Sequence, residues 1–498
     1  KEDIGADVPA KPFYHAPSDS YFQMQYRDNA WYQRRWQSGF DGKETNVDEK
    51  RVDYIMGSGN HSRTFLHWSE RNTVQELPFA WYSEKGWLWG MNPGYDRPDY
   101  AGSIRPIYYE CMFCHNGYPT IPEGDKKDAT QATYTELAEG IDCQRCHGPG
   151  QTHVDKASHK SPVEEIRAAI VNPSKLNPQR SMEVCLQCHL ETSSEKLPHA
   201  VVRLERAPFS FRPGEPLEDF TITFDREPGK NTTLEVAQAA GYQFRKSQCY
   251  LKSNDKLTCT SCHNPHDVPH DAAATVKYNQ VCTGCHQQLK ASAQHKPDAN
   301  CVGCHMPKQR TDDAVHVVMT NHYIAPRPPS GNLLAEKRER DESMSYQGEV
   351  IPYYPAQLAS NASNDLIVAV AQVREKANLK AGIPLLASRI EKYKPTHPGY
   401  YAELGEAYLA VNDTSSALRY FEEASKREPN SGQRLIQWGD ALMQAQQWSL
   451  AESKLRRATE LSPNDPRAWG RLGWTLWQQD KAADAKAALE KAIALDPE

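Results

Sequence analysis

The sequence predicts a chain in two parts: a mainly α-helical, loop-rich part with a few short strands near its N-terminus, and an α-solenoid that follows it. Three observations predict this architecture. Twelve of the 13 cysteines fall in six copies of one pentapeptide, a helical pattern repeats towards the C-terminus, and only 39% of the residues are hydrophobic. With 498 residues and a mean hydropathy of −0.76, the chain is too long for one ordinary domain and too polar to build a sizeable core unaided.

The pentapeptide is Cys-x-x-Cys-His, and three uses compete for its cysteines: disulfides, zinc and covalent haem of the c type. A disulfide framework would not need a histidine after every second cysteine, and structural zinc takes its other ligands from a separate knuckle. Haem c uses every position, because residues i and i+3 share a helix face from which both thiols reach one porphyrin edge, and the histidine becomes the proximal iron ligand. The sequence therefore predicts six haem c groups, attached through Cys111, Cys114, Cys143, Cys146, Cys185, Cys188, Cys259, Cys262, Cys282, Cys285, Cys301 and Cys304. Their proximal ligands are predicted to be His115, His147, His189, His263, His286 and His305.

A second pattern repeats every 34 residues near the C-terminus. The period aligns three prolines, Pro429, Pro463 and Pro497. It also aligns small residues that let the two helices of each unit approach closely, which is the tetratricopeptide repeat (TPR) pattern. A degenerate unit at about residues 364–395 precedes the three regular ones. Trp474 and Trp477 lie off the core register of the last unit, so they are candidates to face a partner.

These patterns divide the chain into four regions. Short alternating stretches such as RTFLHW and GWLWGM predict strands in the first region, which has six of the 11 tryptophans and no cysteine. Porphyrins supply the missing apolar mass of the second region, which is a multihaem cytochrome c domain built around stacked cofactors. The third region is a surface linker with a solvated charge cluster. The predicted regions are 1–110 (aromatic-rich, packing on the haems and supplying distal ligands), 111–324 (hexahaem core), 325–362 (linker) and 363–498 (tetratricopeptide repeats).

The chain resembles exported multihaem cytochromes c with C-terminal tetratricopeptide repeats, whose haem core is akin to the tetrahaem cytochrome of ammonia oxidisers. The resemblance is carried by five segments: CQRCHGPGQTH at 143–153, CTSCHNPH at 259–266, CVGCHMPK at 301–308, HVVMTNHYI at 316–324 and GSGNHSRTFLHW at 57–68. It implies a core of closely packed, mostly bis-histidine haems whose distal ligands come from other parts of the chain.

The histidine count agrees with that implication, since 12 of the 18 histidines remain once six proximal ligands are removed. His153 follows a Gly-Pro-Gly turn that frees it to reach a neighbouring haem, and His266 is similarly placed after its own motif. Ligation by a methionine, Met319 for example, is an alternative that would raise the potential of one haem. The six distal candidates are His61, His67, His153, His266, His316 and His322.

Charge and hydropathy restrict the partners and the location. The formal charge of −6, to which haem propionates add, argues against a nucleic-acid partner, and no apolar run is long enough for a transmembrane segment. The first residue is Lys1 and not methionine, as after removal of a signal peptide. We therefore expect an exported protein, periplasmic or extracellular at the cell surface, because haem c is attached after export.

Function depends on whether every iron has two protein ligands. If it does, no position is open for a substrate, and the protein conducts electrons without acting as an enzyme. The repeats would then dock a redox partner protein, or a second copy in a homo-oligomer or an extracellular cytochrome filament. The alternative is a multihaem oxidoreductase that acts on a small nitrogen or sulfur compound at a five-coordinate haem. Against it, the sequence has no Cys-x-x-Cys-Lys variant. A third possibility treats the repeats as the active part and the haems as structural filler. The remaining Cys249 is expected to be a buried free thiol, with an intermolecular disulfide as the alternative.

Overall fold

The structure is a computed structural model of the chain. It describes all residues except 1–3, 5–7, 58, 85–87, 98–99, 101–103, 123–131, 227–232, 268, 270, 288–294, 296–298, 328, 340–344 and 497–498. Three predicted features lie wholly or partly outside the described residues: the repeat proline Pro497, residues 86–87 of the strand GWLWGM and residues 340–343 of the charge cluster.

The strands concentrate in the first 110 residues. Those of this region are β1 (Phe13–His15), β2 (Ser20–Arg27), β3 (Ala30–Ser38), β4 (Glu44–Arg51), β5 (Tyr54–Met56), β6 (Ser62–Trp68), β7 (Val74–Glu76), β8 (Phe79–Tyr82), β9 (Leu88–Met91) and β10 (Arg105–Pro106). The later ones are β11 (Ala200–Val202), β12 (Thr221–Asp225), β13 (Lys308–Arg310), β14 (Val318–Thr320) and β15 (Ile351–Tyr354).

Two antiparallel sheets form the N-terminal region. One has the order β1-β2-β3-β4, and the other has the order β10-β7-β6-β8-β9 with β5 paired to β6. Aromatic rings fill the core that both sheets share, where the ring centroids of Phe22 and Phe79 lie 6.1 Å apart and those of Phe65 and Trp89 lie 5.6 Å apart. The prediction of N-terminal strands is confirmed, but the expectation that they are few and short is wrong, because β2 and β3 have 8 and 9 residues.

The long strands follow from a tight hairpin. Asp28 and Asn29 connect β2 to β3 with positive φ angles of 48° and 58°, the conformation of a type I′ turn. Short polar side chains tolerate this backbone conformation, and the turn matches the twist of the flanking strands. Arg27 therefore pairs directly with Ala30, and the ladder continues through both strands.

The helices of the middle region have nine residues or fewer apart from Asp271–Cys285, which has 15, and those after residue 360 have 12 to 15. The first group is α1 (Tyr109–His115), α2 (Cys143–His147), α3 (Gln151–Ser158), α4 (Val163–Ala168), α5 (Pro178–Leu186), α6 (Ala240–Lys246), α7 (Gln248–Leu251), α8 (Cys259–Cys262), α9 (Asp271–Cys285) and α10 (Cys301–His305). The second group is α11 (Ala362–Val373), α12 (Leu379–Tyr393), α13 (Gly399–Ala410), α14 (Thr414–Arg427), α15 (Gly432–Gln444), α16 (Trp448–Leu461), α17 (Pro466–Trp477) and α18 (Ala482–Leu495). Within the described ranges, no helix combines the length and apolar character needed to cross a membrane.

Helices α13 to α18 form three successive pairs, one for each 34-residue repeat, and α11 and α12 pack together ahead of them. The small residues at the pair interfaces are required sterically: a Cβ atom built on Gly439 would lie 2.7 Å from Cδ2 of Leu455 in the facing helix. Trp474 and Trp477 are 51% and 57% exposed on α17, so both indoles face outward, as their register predicts.

The solenoid is joined to the rest of the molecule by a shared hydrophobic core, which we call the seam. Strands β11, β12 and β15 form a sheet in that order, and buried residues of this sheet lie in one cluster with buried residues of α11 to α13. Phe224 of β12 and Ile367 of α11 are both 0% exposed in this cluster. At the edge of the seam, the Tyr400 hydroxyl donates to Oε1 of Glu205 over 2.8 Å.

Part of the predicted linker is built into this seam. Strand β15, within the predicted linker 325–362, pairs with β12, and both Tyr353 and Tyr354 are buried. The charge cluster is also anchored, since Lys337 donates to Oδ1 of Asp312 over 2.6 Å. The expectation of a surface linker is therefore wrong for β15, while Glu336 and Arg338 of the charge cluster are exposed. Pairing with a strand 126 residues earlier is a non-local contact, and no local pattern predicts it.

Candidate haem-binding sites

Every Cys-x-x-Cys-His motif forms one turn of helix or continues a helix end. Motifs 1, 2 and 6, counted along the chain, close α1, form α2 and form α10. In motifs 4 and 5 the histidine directly follows the helix, and its amide donates to the carbonyl of the first cysteine over 2.9 Å in each case. In motif 3 the corresponding distance, from His189 N to Cys185 O, is 3.1 Å. Both cysteines of each motif thus lie within one turn, as thioether attachment to a single porphyrin edge requires.

Side-chain caps begin several of these turns. The Asp142 carboxylate accepts from the amide of Gln144 at the start of α2, and Asn300 accepts from Gly303 at the start of α10. A reciprocal Thr258 and Ser261 capping box begins α8. Such caps satisfy helix amides that otherwise lack partners, which stabilises helices as short as these.

Three motif histidines face a second histidine ring at a common separation. The ring centroids of His147 and His266 lie 5.9 Å apart, those of His263 and His322 lie 6.0 Å apart, and those of His305 and His295 lie 6.3 Å apart. An imidazole nitrogen binds a transition metal at about 2.0–2.1 Å, so two rings on opposite sides of one metal have centroids roughly 6 Å apart. The three pairs therefore match the spacing that one shared iron requires.

The hydrogen bonds of these rings leave the correct nitrogen available. Nδ1 of His147 lies 2.7 Å from the Val171 carbonyl, Nδ1 of His305 lies 2.7 Å from the Ala325 carbonyl, and Nδ1 of His322 lies 2.9 Å from the Thr320 carbonyl. A metal-binding histidine typically donates its other ring N–H to such an acceptor, which fixes the tautomer and directs Nε2 to the metal.

Burial keeps the central imidazoles in the neutral form that binds metals. It lowers the pKa of His322 to about 4, and it lowers the pKa of His115 and His189 below the usual histidine range. Proximity adds to this effect, because His189 acts on His115 and His263 acts on His189. The motif histidines are therefore close enough to influence one another electrostatically.

The structure places the other distal candidates in defined but different surroundings. His153 on α3 and His67 on β6 each have Nδ1 near a carbonyl, 2.8 Å from Ile166 O and 2.9 Å from Arg51 O. His61 lies beside the backbone of Val318 in β14, and the centroid of the His316 ring lies 5.1 Å from that of the Tyr82 ring of β8. Among the described side chains, none of these four forms a ring pair with a motif histidine at the separation of the three pairs above.

His295 is the residue that sequence reasoning missed. It faces the motif 6 histidine with an interplanar angle of 6°, yet it was not among the six distal candidates. One signal was present: His295 is the sole histidine between motifs 5 and 6, the two closest motifs in sequence. The segment between these two candidate haem sites is short, so it contains few residues that could bind iron.

Two further histidines have structural roles. Nδ1 of His199 lies 2.9 Å from Oγ1 of Thr192 and Nε2 lies 3.1 Å from the Glu195 carbonyl. His15 is equally occupied, with Nδ1 2.8 Å from Ser18 and Nε2 3.1 Å from Asp96. Both ring nitrogens of each are engaged, so neither has an electron pair free for iron.

The buried His199 predicts a pH dependence of stability. Burial lowers its folded-state pKa to about 4, below the unfolded value of about 6.5. The unfolded chain therefore binds the proton more strongly, and stability falls as pH drops from 6.5 towards 4. We expect the free energy of unfolding in urea to be about 2 kcal/mol lower at pH 5 than at pH 7 through this group. A His199→Gln variant should lose that part of the pH dependence, and an unchanged slope would contradict the assignment.

The cysteines of different motifs also lie close together. The thiols of Cys114 in motif 1 and Cys188 in motif 3 are near enough for each to shift the pKa of the other, and so are those of Cys185 in motif 3 and Cys259 in motif 4. The pKa of Cys282 in motif 5 is raised by burial and also by Cys301 of motif 6 and Cys262 of motif 4. Motif 2 joins through the interaction of Cys146 with Cys185. The six motifs therefore form one continuous series of neighbours.

The thirteenth cysteine lies beside this series. Cys249 on α7 is partly buried, and burial together with the nearby Cys285 raises the pKa of its thiol. It is less buried than predicted, and its role as a free thiol or in an intermolecular disulfide stays a prediction.

Comparisons with known proteins agree with the interpretation of both the Cys-x-x-Cys-His motifs and the 34-residue repeats. A family model of the doubled CXXCH motif matches residues 252–291, and two tetratricopeptide repeat models match residues 398–431 and 436–498. The multiheme cytochrome MtrA of Shewanella baltica (strain OS185) is 25% identical over 210 residues, which are 40% of this chain and 53% of that protein. The chain thus spans about half the length of the curated relative it matches. These matches support a multihaem c-type cytochrome with tetratricopeptide repeats.

Solved structures that resemble the chain cover a smaller part of it. MamA from Desulfovibrio magneticus RS-1 (residues 41 to the end) is 21% identical, covering 28% of this chain and 78% of that chain with a TM-score of 0.26. YrrB, described as a TPR protein with an unusual peptide-binding site, is 20% identical, covering 28% of this chain and 70% of its own with the same TM-score. Scores this low bear neither on the fold of the whole chain nor on its function.

The geometry of the motif residues and of the histidine ring pairs fits haem c. Each motif offers two thiols within one helical turn followed by a histidine, and three of those histidines have a second ring at the distance that a shared iron requires. By contrast, the described side chains include no group of three or more histidine, cysteine or acidic residues arranged around a common metal position.

Proposed function

We propose that this protein conducts electrons through six haem c groups, and that its repeats dock a protein partner. The observation that carries the proposal is the set of three histidine ring pairs, because each places a second imidazole opposite a motif histidine. An iron with two imidazole ligands has no open position for a substrate and serves electron transfer. We therefore favour a conductor over an enzyme.

The proposal assigns ligands to each site. The two cysteines of each motif attach one porphyrin, and the motif histidine is its proximal ligand. His266 is assigned as the distal ligand at motif 2, His322 at motif 4 and His295 at motif 6. The sites at motifs 1, 3 and 5 take their distal ligands from the four remaining candidates, which are His61, His67, His153 and His316.

Haem supplies a one-electron couple between the ferric and ferrous states, and the chain fixes the spacing of the six couples. Thiols of neighbouring motifs lie near one another and influence each other's pKa at Cys114 and Cys188, at Cys185 and Cys259, and at Cys282 and Cys301. Since each thiol marks a porphyrin edge, the arrangement supports short edge-to-edge steps along the whole series. Motif 3 has three motif neighbours and is the branch point.

The location and the partner follow from the same chemistry. Haem c attachment takes place outside the cytoplasm, so the proposal places the protein in the periplasm or at the cell surface. Tetratricopeptide repeats typically bind other proteins, and exposed Trp474 and Trp477 are candidate contacts. The partner is then a redox protein or a second copy, and growth into a cytochrome filament is the extended form of that hypothesis. The likeness of the haem core to the tetrahaem cytochrome of ammonia oxidisers is part of the same proposal.

Three measurements on the exported, haem-loaded protein test the proposal. Intact mass spectrometry should show six added haem masses. The ferric protein should give low-spin electron paramagnetic resonance (EPR) signals, and the reduced protein should bind no more than a trace of carbon monoxide. A stoichiometric high-spin signal, or carbon monoxide binding at one haem per chain, would contradict the conductor and favour the oxidoreductase acting on a small nitrogen or sulfur compound. A chain without added haem mass would overturn both.

A further inference from the structure

The variable residues of motifs 1, 2 and 3 interlock around one buried cation. Arg145, between the two cysteines of motif 2, is 2% exposed. Its guanidinium lies 4.8 Å from the ring centroid of Phe113, which stands between the cysteines of motif 1. Its backbone carbonyl accepts from Nε2 of Gln187 over 3.2 Å, and Gln187 stands between the cysteines of motif 3. One residue, through its side chain and its backbone carbonyl, thus contacts the attachment turns of motifs 1 and 3 while standing in that of motif 2.

The described residues around Arg145 place no carboxylate against its guanidinium. Nε and Nη2 donate to the Asn116 carbonyl over 3.2 and 3.1 Å, and Nη2 also donates to the Gly117 carbonyl. Nη1 is buried without any hydrogen-bond partner. The described residues provide no carboxylate in salt-bridge contact with this guanidinium, and Asp142 acts on it only at longer range.

The guanidinium nevertheless stays charged. Burial lowers the pKa of Arg145, but an arginine is not deprotonated in a protein at physiological pH. Stacking against Phe113 and against Tyr118, whose ring centroid is 4.5 Å away, offsets part of the desolvation cost. The electrostatic neighbours of the cation include Cys188, Cys114 and Cys146, each of which is one of the two thiols that attach haem at motifs 3, 1 and 2.

We propose that Arg145 raises the reduction potentials of the haems at motifs 1, 2 and 3, so that an electron in the chain rests preferentially at this junction. The inference depends on the proposed function, because it requires haem at all three motifs. When a ferric haem takes up one electron its net charge falls by one, and a nearby cation in a poorly polarisable site stabilises the reduced form. The same cation destabilises the oxidised form by repulsion.

The test is a spectroelectrochemical titration of the haem-loaded protein. We expect Arg145→Gln to lower the reduction potential of about half of the haem absorbance, three haems of six. The expected change is a factor of about ten in the equilibrium constant, which is about 59 mV for a one-electron couple. Arg145→Lys keeps the charge, so the reduction equilibrium constants of its haems should stay within threefold of the wild-type values. Arg212→Gln is the matched control, because Arg212 lies 4.6 Å from the same Tyr118 ring but is exposed, so water screens it and no shift is expected.

Haem content and spin state, measured on every variant, separate the two hypotheses. A wild type without six haems would refute the proposed function and not this inference. An Arg145→Gln protein with six low-spin haems and wild-type potentials would overturn the inference, as would an Arg145→Lys shift equal to that of Arg145→Gln, since packing would then be the cause. If Arg145→Gln fails to assemble, Asp142→Asn is used instead, and its expected effect on the reduction potentials has the opposite sign. It keeps the helix cap, removes the carboxylate that acts on Arg145 and should raise the same potentials, and an unchanged titration would refute the proposal.

Discussion

Replacing His322 with alanine should turn one low-spin haem into a high-spin haem that binds carbon monoxide. The His322 ring lies 6.0 Å from the ring of His263, and its Nδ1 is held by the Thr320 carbonyl. Removal of the ring would leave the iron at motif 4 with His263 alone. EPR spectroscopy and carbon monoxide titration of the His322→Ala protein should therefore report one altered site among six. Added imidazole should restore the low-spin spectrum, because it can replace the missing ring.

The matched control for this variant is His199→Gln. His199 is also a largely buried imidazole, but Thr192 and Glu195 occupy both of its nitrogens. Its loss should change stability and leave every haem low-spin. A His322→Ala protein that stays fully low-spin and excludes carbon monoxide would show that another group binds the iron of motif 4. A high-spin signal in the His199→Gln protein would show that misfolding alone produces the change.

Replacing Phe224 with alanine should destabilise the protein by about 3–5 kcal/mol, the usual cost of deleting a fully buried phenylalanine ring. Phe224 is 0% exposed and lies in the core cluster that joins β12 to the first helices of the solenoid. Urea unfolding followed by far-UV circular dichroism and by haem absorbance measures the loss. The two signals should change together in the wild type and separate in the variant, because the seam couples the two halves.

Phe40 provides the matched control for that experiment. Its side chain is fully exposed at the turn between β3 and β4, so Phe40→Ala should change the free energy of unfolding by less than about 0.5 kcal/mol. A Phe224→Ala cost below 1 kcal/mol, or coincident transitions in the variant, would show that the seam is loosely packed or that the halves do not depend on it.

The sequence predicted the candidate sites best where one local motif contains the chemistry. The helical turns around Cys143 and Cys301 follow from the spacing of the motif itself. His266 and His322 were among the predicted distal ligands, and both now face motif histidines. The pairing of His266 with motif 2, however, joins segments more than 100 residues apart, and no pattern in one sequence gives such a pairing.

For the fold, too, the sequence predicted the elements that depend on local contacts and missed those that depend on distant ones. The repeat period predicted the helical C-terminal region because each unit packs mainly on its neighbours. Strand β15 was missed because its partner, β12, is distant in sequence and its own residues, IPYY, contain a proline and no alternation. The β2–β3 hairpin had a local signal in Asp28-Asn29, but these polar turn residues lie outside the apolar alternation from which strands were predicted. His153, which the sequence favoured, lies on α3 with its ring tied to Ile166, without a motif histidine ring beside it.

The contact between Arg71 and Asp496 has a mechanical consequence for the repeat array. These side chains meet at 2.6 Å, and they connect the turn before β7 to the residue after α18. The opposite end of the array is fixed by the buried seam. Helices α13 to α18 are thus held both at the seam and beside α18, so they cannot stretch or recoil freely as a spring, and their curvature is set largely before anything docks. Since one partly exposed ion pair contributes only about 0.2–1 kcal/mol, the contact beside α18 can release at little cost while the seam holds. A ligand that needs a wider groove between these helices would therefore separate them from α18 inward.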